Sequence, residues 1–195
     1  MTYSDFYGSE YADILKTQSI LVDMIESIKN SGNPMEDLQP VVYYCSRIKS
    51  PESMMDKLCR YGLPVTLDSA LESVYDAVGI RIVCSFTSDV QSIVSLLENE
   101  PSIEVLLKKD YLAHPKPGGY RSIHLCIRVK QTGKLAEIQV RTLAMDFWAT
   151  LEHQTRYKKS VSNDALLKSE LKRCADEIAS LDLSMQTIRE IAQNI

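Results

Sequence analysis

No stretch of this 195-residue sequence approaches the ~20 consecutive apolar residues needed to cross a bilayer as a helix. The first residues, MTYSDFYGSEYADIL, lack both a basic n-region and an apolar h-region, so no secretory signal is expected. CxxC pairs are absent, and the five cysteines (Cys45, Cys59, Cys84, Cys126 and Cys174) stand singly and in odd number. That argues against a disulfide framework and for a reducing, cytoplasmic compartment. With three histidines (His114, His124 and His153) and no HExxH, no zinc site built from sequence-local ligands is expected. GxxxxGK[ST] is also missing, so any nucleotide must be held without a P-loop. What is present is ordinary globular material: 45% hydrophobic and 25% charged residues, too apolar for a disordered chain.

The net charge of −4 conceals a strong asymmetry. Residues 1–40 carry −5, residues 41–106 carry −4, residues 107–160 carry +7 and residues 161–195 carry −2. A basic island in an otherwise acidic chain suits a compact polyanion such as nucleotide phosphates. Duplex DNA is disfavoured as a partner, because the rest of the surface would repel it.

Periodicity predicts a helix over 9–29 on Ile14, Ile20, Leu21, Met24, Ile25 and Ile28, ending at SGNP (31–34). A strand is expected at 41–49. Ser50-Pro51-Glu52 then supplies a cap, a proline at the first helical position and an acidic first turn, opening a helix to about Tyr61. A short helix near 68–75 leads into Val78, Ile80, Ile82, Cys84 and Phe86, which alternate as a strand. Residues 88–98 read as helix, and 110–119, with two prolines and two glycines, as loop. Strands at 120–129 and 135–141 flank the turn signal Thr132-Gly133, and 143–158 reads as helix. Leu167, Leu171, Cys174, Ile178, Leu181, Met185, Ile188, Ala192 and Ile195 then follow a 4-3 spacing with no glycine or proline between them. Such a seam fits either a terminal helix packed on its own domain or a self-association surface.

Alternation also marks candidate site residues. With Ile123, Leu125, Ile127 and Val129 as one face, Tyr120, Ser122 and His124 point the other way. With Ile138 and Val140 inward, Glu137, Gln139 and Arg141 are opposed to them, and Arg47 and Lys49 share a side of their strand. Ser53 and Lys57 lie one helical turn apart just beyond that strand. Asp76 precedes a buried strand, and with Glu137 it offers two carboxylates for one Mg²⁺, which prefers a few carboxylates plus phosphate oxygens.

RIKSPESMMDKL (47–58), DAVGIRIVC (76–84), DYLAHPKPGGYRSIHL (110–125) and AEIQVRTLAMDFWATLEHQTRYK (136–158) together resemble the synthetase domain of the RelA/SpoT family. The resemblance covers about residues 41–159 with its motifs in order. It implies a stand-alone small alarmone synthetase divided into an N-terminal helical segment (1–40), the synthetase domain (41–159) and a C-terminal helix for oligomerisation (160–195). The implied fold is α/β (α+β): a mixed, mostly antiparallel sheet flanked by helices, nucleotidyltransferase-like. The implied reaction transfers pyrophosphate from ATP to the 3′-hydroxyl of GTP or GDP, with Mg²⁺ as cofactor.

By position, the resemblance implies that Arg47 and Arg81 sandwich the adenine, while Lys49, Ser53 and Lys57 hold the ATP phosphates. Asp76 would bind the metal, and Glu137 would complete that site or assist deprotonation of the hydroxyl. Tyr120 would stack on the guanine, with Lys109, Lys116, Arg121 and His124 near the acceptor phosphates and Gln139 and His153 in matching motif positions. The chain departs from the family pattern at Cys45, Leu107, Gly118 and Asp146. A homo-oligomer, most simply a tetramer built through terminal helices, is the implied assembly, with no membrane partner. Two alternatives stay open: a toxin-type relative that pyrophosphorylates the tRNA 3′ end, and a catalytically silent nucleotide- or single-stranded-RNA-binding module.

Overall fold

The computed structural model describes residues 1–30, 39–157 and 164–193. The SGNP turn, the boundary near residue 160 and Ile195 lie outside them. In chain order the elements are α1 (Tyr3–Tyr7), a 3₁₀ turn (Gly8–Glu10), α2 (Tyr11–Asn30), β1 (Val41–Ile48), α3 (Pro51–Arg60) and α4 (Leu67–Glu72). They continue with β2 (Val78–Cys84), α5 (Thr87–Glu98), β3 (Ile103–Asp110), β4 (Ile123–Val129), β5 (Leu135–Thr142), α6 (Leu143–Tyr157) and α7 (Asp164–Gln193).

The five strands form one sheet in the order β1-β2-β5-β4-β3. Only the β2–β5 pair is parallel, so the sheet is mixed and mostly antiparallel, as the family resemblance implies. One face carries Ile80 and Ile82 from β2, Ile138 and Val140 from β5, and Ile123, Leu125 and Ile127 from β4, all buried. Helices α2 and α5 cover it. α2 contributes Ile14, Leu21, Met24 and Ile25, and α5 contributes Val90, Ile93, Val94 and Leu97, both at the i, i+3/i+4 spacing of a helix stripe. The N-terminal helical segment therefore shares one core with the strands. Each fully buried Leu or Ile in it contributes about 1.5–3 kcal/mol of transfer free energy.

Local chemistry explains the element ends that matter for function. Ser50, in an extended conformation, accepts a hydrogen bond from the Ser53 amide and caps α3, with Pro51 at the first helical position. Between β4 and β5, Gly133 takes φ +70 and donates its N–H to the Val129 carbonyl, closing the hairpin around Thr132-Gly133. β4 begins at Ile123 rather than at residue 120, because the Tyr120 carbonyl instead accepts from the Lys116 amide and closes the preceding loop. β3 is an edge strand with an irregularity between Val105 and Leu107, which breaks its alternation.

α7 lies against α6, α5 and the loop before β4, through apolar side chains in its first half and polar groups along its length. The Trp148 indole donates to the Leu171 carbonyl (2.8 Å), and Thr142 Oγ1 donates to Asp182 (2.7 Å). Gln186 Oε1 accepts from the Ser88 amide, and Arg189 pairs with Asp89 over the Phe86 ring. Of the 4-3 seam, Leu167, Leu171, Cys174 and Ile178 are half-buried, whereas Leu181 and Ile188 remain 55% and 56% exposed.

Candidate active site

The face of the sheet opposite the core is polar, and strand register assembles it. Arg47 on β1 lies opposite Gly79 on β2, which lies opposite Glu137 on β5 and then Cys126 on β4. One row along, Cys45, Arg81, Gln139, His124 and Lys109 stand side by side across all five strands. Residues opposite one another in register share a face, so five separate segments converge on one surface.

At one end of this surface Asp76 is gripped by two lysines. Lys49 Nζ lies 2.9 Å from Oδ2 and Lys57 Nζ lies 2.8 Å from Oδ1. The grip follows from local structure. The Lys49 amide donates to the Ala77 carbonyl (2.9 Å), extending the β1–β2 pairing one residue past β1, and the Tyr7 hydroxyl donates to the Lys49 carbonyl (2.8 Å). Lys57 arrives one turn into α3 from Ser53, whose hydroxyl receives a hydrogen bond from Ser50. Burial alone would raise the Asp76 carboxyl pKa, but Lys57 and Lys49 outweigh it and hold the group below its ordinary value.

Glu137 is held by its neighbours on the sheet. His124 Nδ1 lies 3.2 Å from Glu137 Oε1, and Gln139 Nε2 donates to Oε2 at 2.9 Å. Burial raises this carboxyl too, yet His124, Gln139 and the charge of Lys57 bring it down to about 2. Asp76 and Glu137 line one small cavity with Arg47, Gly79, Arg81 and Gln139. Among the described residues no cluster of three or more His, Cys, Asp or Glu could hold a metal. Two ionised carboxylates on one cavity fit Mg²⁺, a hard cation that completes its shell with phosphate and water oxygens.

At the other end the polar groups are rings. The Tyr120 hydroxyl meets His124 Nε2 at 2.7 Å, so Tyr120, His124, Glu137 and Gln139 form one continuous chain. Tyr111 and Tyr120 both pack edge-on to His124, and the Lys116 ammonium lies over both tyrosine rings, 4.6 and 5.0 Å from their centroids. Between the two ends opens a cavity of about 370 Å³ lined by Arg47, Arg81, Tyr120, Gln139, Arg141 and His153, among others. Its size suits a small ligand. The Nε atoms of Arg81 and Arg141 are buried beside it without a hydrogen-bond partner, which favours an anion there.

Of the residues singled out from the sequence, the fold brings Arg47, Lys49, Lys57, Asp76, Arg81, Tyr120, His124, Glu137, Gln139 and His153 onto this surface, with Ser53 at the start of α3. Lys109 lies opposite His124 in register, and Lys116 is stacked on the rings. Two of these residues have partners within the protein that bear on their roles. His124 is 7% exposed with both ring nitrogens engaged, bridging Tyr120 to Glu137. Arg121 points away from the cluster, donating to the carbonyls of Gly119 (3.1 Å) and Ala175 (3.2 Å). Sequence reasoning gave no role to Tyr111, and it marked Asp146 as a departure from the family pattern without showing what that carboxylate holds. That carboxylate accepts from the Tyr43 hydroxyl (2.6 Å) and pairs with Arg141 (2.8 Å) and Arg81 (3.5 Å). Asp146 and its three partners come from four elements, and only the fold unites them.

A mixed sheet with paired carboxylates, arginines and lysines on one face suits an enzyme that acts on nucleotide phosphates. Comparison with known proteins narrows the class. A family profile described as "Region found in RelA / SpoT proteins" matches residues 46–162. The GTP pyrophosphokinase YwaC of Bacillus subtilis (strain 168) is 38% identical over 184 residues, covering 91% of this chain and 85% of the relative. The crystal structure of small alarmone synthetase 1 from Bacillus subtilis bound to its product pppGpp superposes with a TM-score of 0.82 at 32% identity, over 91% of this chain and 93% of that one. The same synthetase bound to AMPCPP gives 0.76 at 28% identity, over 94% and 96%. The chain belongs to the RelA/SpoT family.

Proposed function

We propose that this protein is a (p)ppGpp synthetase that transfers pyrophosphate from ATP to the 3′-hydroxyl of GTP or GDP and releases AMP. The observation that carries this reading is the gathering of Asp76, Glu137, two lysines, two arginines and an aromatic platform on one sheet face. The naming of the relatives as GTP pyrophosphokinase and alarmone synthetase, and their structures with pppGpp and AMPCPP, support it.

In this reading Arg47 and Arg81 flank the adenine, and Lys49, Lys57 and Ser53 hold the donor phosphates. Asp76 and Glu137 would hold Mg²⁺, which, when bound, supplies positive charge to the transferring phosphoryl oxygens. Tyr120, backed by Tyr111 and Lys116, offers a flat face to the guanine, with Lys109 and Lys116 nearest its phosphates. The acceptor 3′-oxygen forms a bond to the β-phosphorus of ATP as the bond from that phosphorus to the α–β bridging oxygen breaks, and AMP departs with that oxygen. The hydroxyl proton passes to Glu137 or to solvent. A carboxylate held at about 2 is a weak base, which suits proton loss late in a loose transition state and favours metal ligation as its larger role. Lysines and arginines along the path offset the charge that develops on the phosphoryl oxygens.

The exposed stripe of Leu181, Met185, Ile188 and Ile191 on α7 supports self-association, read here as a homotetramer. The free cysteines suit a cytoplasmic location. Among the described residues no helix is long and apolar enough to cross a membrane.

The test incubates purified protein with ATP, Mg²⁺ and, separately, GTP, GDP, GMP and tRNA, and resolves the products. AMP appearing together with a 3′-pyrophosphorylated guanine nucleotide is expected, with loss of both on adding EDTA. Product formed only on tRNA, or nucleotide binding without turnover, would overturn it.

A further inference from the structure

The loop between β3 and β4 carries Tyr111, Lys116 and Tyr120, and its conformation is set from inside and from outside. From inside, Asp110 Oδ1 accepts from the amides of Leu112 and Ala113, both at 2.9 Å, and the Gly119 amide donates to the Lys116 carbonyl at 2.7 Å. From outside, the loop is fastened to α7. The Arg121 guanidinium donates through one nitrogen to the Gly119 carbonyl and the Ala175 carbonyl, and its other nitrogen pairs with Asp176 at 3.5 Å. A mid-helix carbonyl such as that of Ala175 already accepts from its own helix, so its second lone pair is being used to hold Arg121.

Packing at the same point is equally specific. Gly119 has φ +89, a backbone conformation that side chains rarely adopt, and a Cβ there would come within 2.4 Å of the Ala175 Cβ. Ala175 is buried, and it shares a small pocket with Gly119, Arg121, Met145, Trp148 and Ile178. Trp148 in turn donates to the Leu171 carbonyl, so α6, whose later residues line the 370 Å³ cavity, is tied to the same turn of α7.

We infer that Arg121 is a positioning residue: it clasps the loop to α7 at Gly119 and Ala175, and thereby holds the neighbouring Tyr120 ring where the acceptor base stacks. This rests on the acceptor reading of Tyr120 given above. The clasp acts through backbone carbonyls. It therefore serves every acceptor equally, whatever its number of phosphates, and it depends on α7 although α7 carries no group facing the cleft chemistry.

Steady-state kinetics of the full-length protein test the clasp, with GMP, GDP and GTP as separate acceptors. Arg121→Ala removes the two hydrogen bonds to carbonyls and the Asp176 pair and should raise the acceptor KM about tenfold for all three nucleotides. The ATP KM should stay within about twofold, since the donor groups lie on other elements. Arg121→Gln keeps an N–H donor without the charge and should recover much of the loss. Ala175→Leu, more than fifty residues away in sequence, should reproduce the same acceptor-selective defect by wedging the loop off α7. Emission from Trp148, the single tryptophan, reports whether α7 stays docked. Tyr120→Ala serves as the control for the acceptor reading. If it leaves the acceptor KM unchanged, that reading fails. If it raises the acceptor KM while Arg121→Ala or Ala175→Leu with α7 docked does not, the clasp fails alone. A defect that grows from GMP to GDP to GTP would make Arg121 a phosphate ligand and overturn the inference.

Discussion

On the cleft face of the sheet, Arg81, Glu137 and Gln139 turn toward a cavity while Ile82, Ile138 and Val140, one residue along the same strands, hold the core. On α7 the senses are reversed. Asp182, Gln186 and Arg189 turn inward to Thr142, Ser88 and Asp89, while Leu181, Met185 and Ile188 turn to the surface. The difference lies in what each region spends its polar groups on. The cleft gathers charge that partly pairs within itself and remains available to a ligand. α7 uses polar groups as fasteners and leaves its apolar stripe uncommitted. Changes in the cleft should therefore act on turnover and not on assembly, and changes on the α7 stripe the reverse.

The largest effect should come from the carboxylates. Asp76→Asn and Glu137→Gln are isosteric and neutral, and each removes an anion that would ligate the metal. Losing such an interaction costs at least a few kcal/mol, hence on the order of 10²-fold or more in kcat. Circular dichroism should report retained folds, with Asp76→Asn the less stable because two lysines lose their shared partner. Near-normal turnover in either variant would place that residue outside the metal site and blur the contrast with α7.

Acid should separate the two regions next. Glu137 sits at about 2 against an ordinary 4.5, so its contribution is fully present above about pH 4.5 and is lost as pH falls toward 2. The difference corresponds to roughly 3 kcal/mol. Asp76, shifted the same way, adds to the loss. Asp182 on α7 moves oppositely: burial raises its pKa, so its ionisation opposes docking as pH rises through the ordinary carboxylate range. Urea unfolding midpoints between pH 7 and 3 should fall for the parent protein and fall less for Glu137→Gln. Equal slopes would mean that His124 and Gln139 do not stabilise the Glu137 anion.

The sequence made most of the cleft readable because its strands obey period two. Alternation through 135–141 assigns Glu137 and Gln139 to the polar face, the Ser50-Pro51 cap fixes where Lys57 falls, and Arg81 is marked by the family resemblance. Three features were not readable. β3 escaped because Leu106 and Leu107 are adjacent at an irregularity on an exposed edge. The inward direction of His124 depends on its two partners, which lie on a loop and on another strand. The orientation of α7 escaped because an apolar 4-3 seam suggests apolar docking along its length. In the fold only its first part, to Ile178, is half-buried, and the later inward contacts are hydrogen bonds and ion pairs.

A smaller effect within the cleft concerns the acceptor. Tyr120→Ala should raise the KM for the guanine nucleotide well above that for ATP, since stacking on an aromatic ring is worth about 1–3 kcal/mol per base. Tyr120→Phe should keep most of the stacking while losing the 2.7 Å contact to His124. A fall in kcat for Tyr120→Phe with KM unchanged would assign the hydroxyl to ordering His124 and Glu137. Equal damage to both KM values would mean that Tyr120 shapes the cleft as a whole.

The smallest effect on chemistry, and the largest on assembly, should come from the outer stripe of α7. Leu171 and Ile178 are half-buried on the domain, so lysine there would disturb docking and assembly together. Leu181 and Ile188 separate the two, being more than half exposed and one helical face apart from Asp182 and Arg189. A helix that leaves such a stripe in water has an exposed apolar patch of the kind that marks an interface. The double variant Leu181→Lys, Ile188→Lys should convert the oligomer to smaller species by light scattering at micromolar concentration. Its ATP KM should stay close to that of the parent, because no donor-site group lies on α7, and Trp148 emission should hold as long as the inner fasteners remain. A parent protein that is monomeric at that concentration would remove the uncommitted stripe from the comparison. A variant that dissociates and also loses acceptor affinity would instead join the two regions through the turn of α7 that carries Ala175.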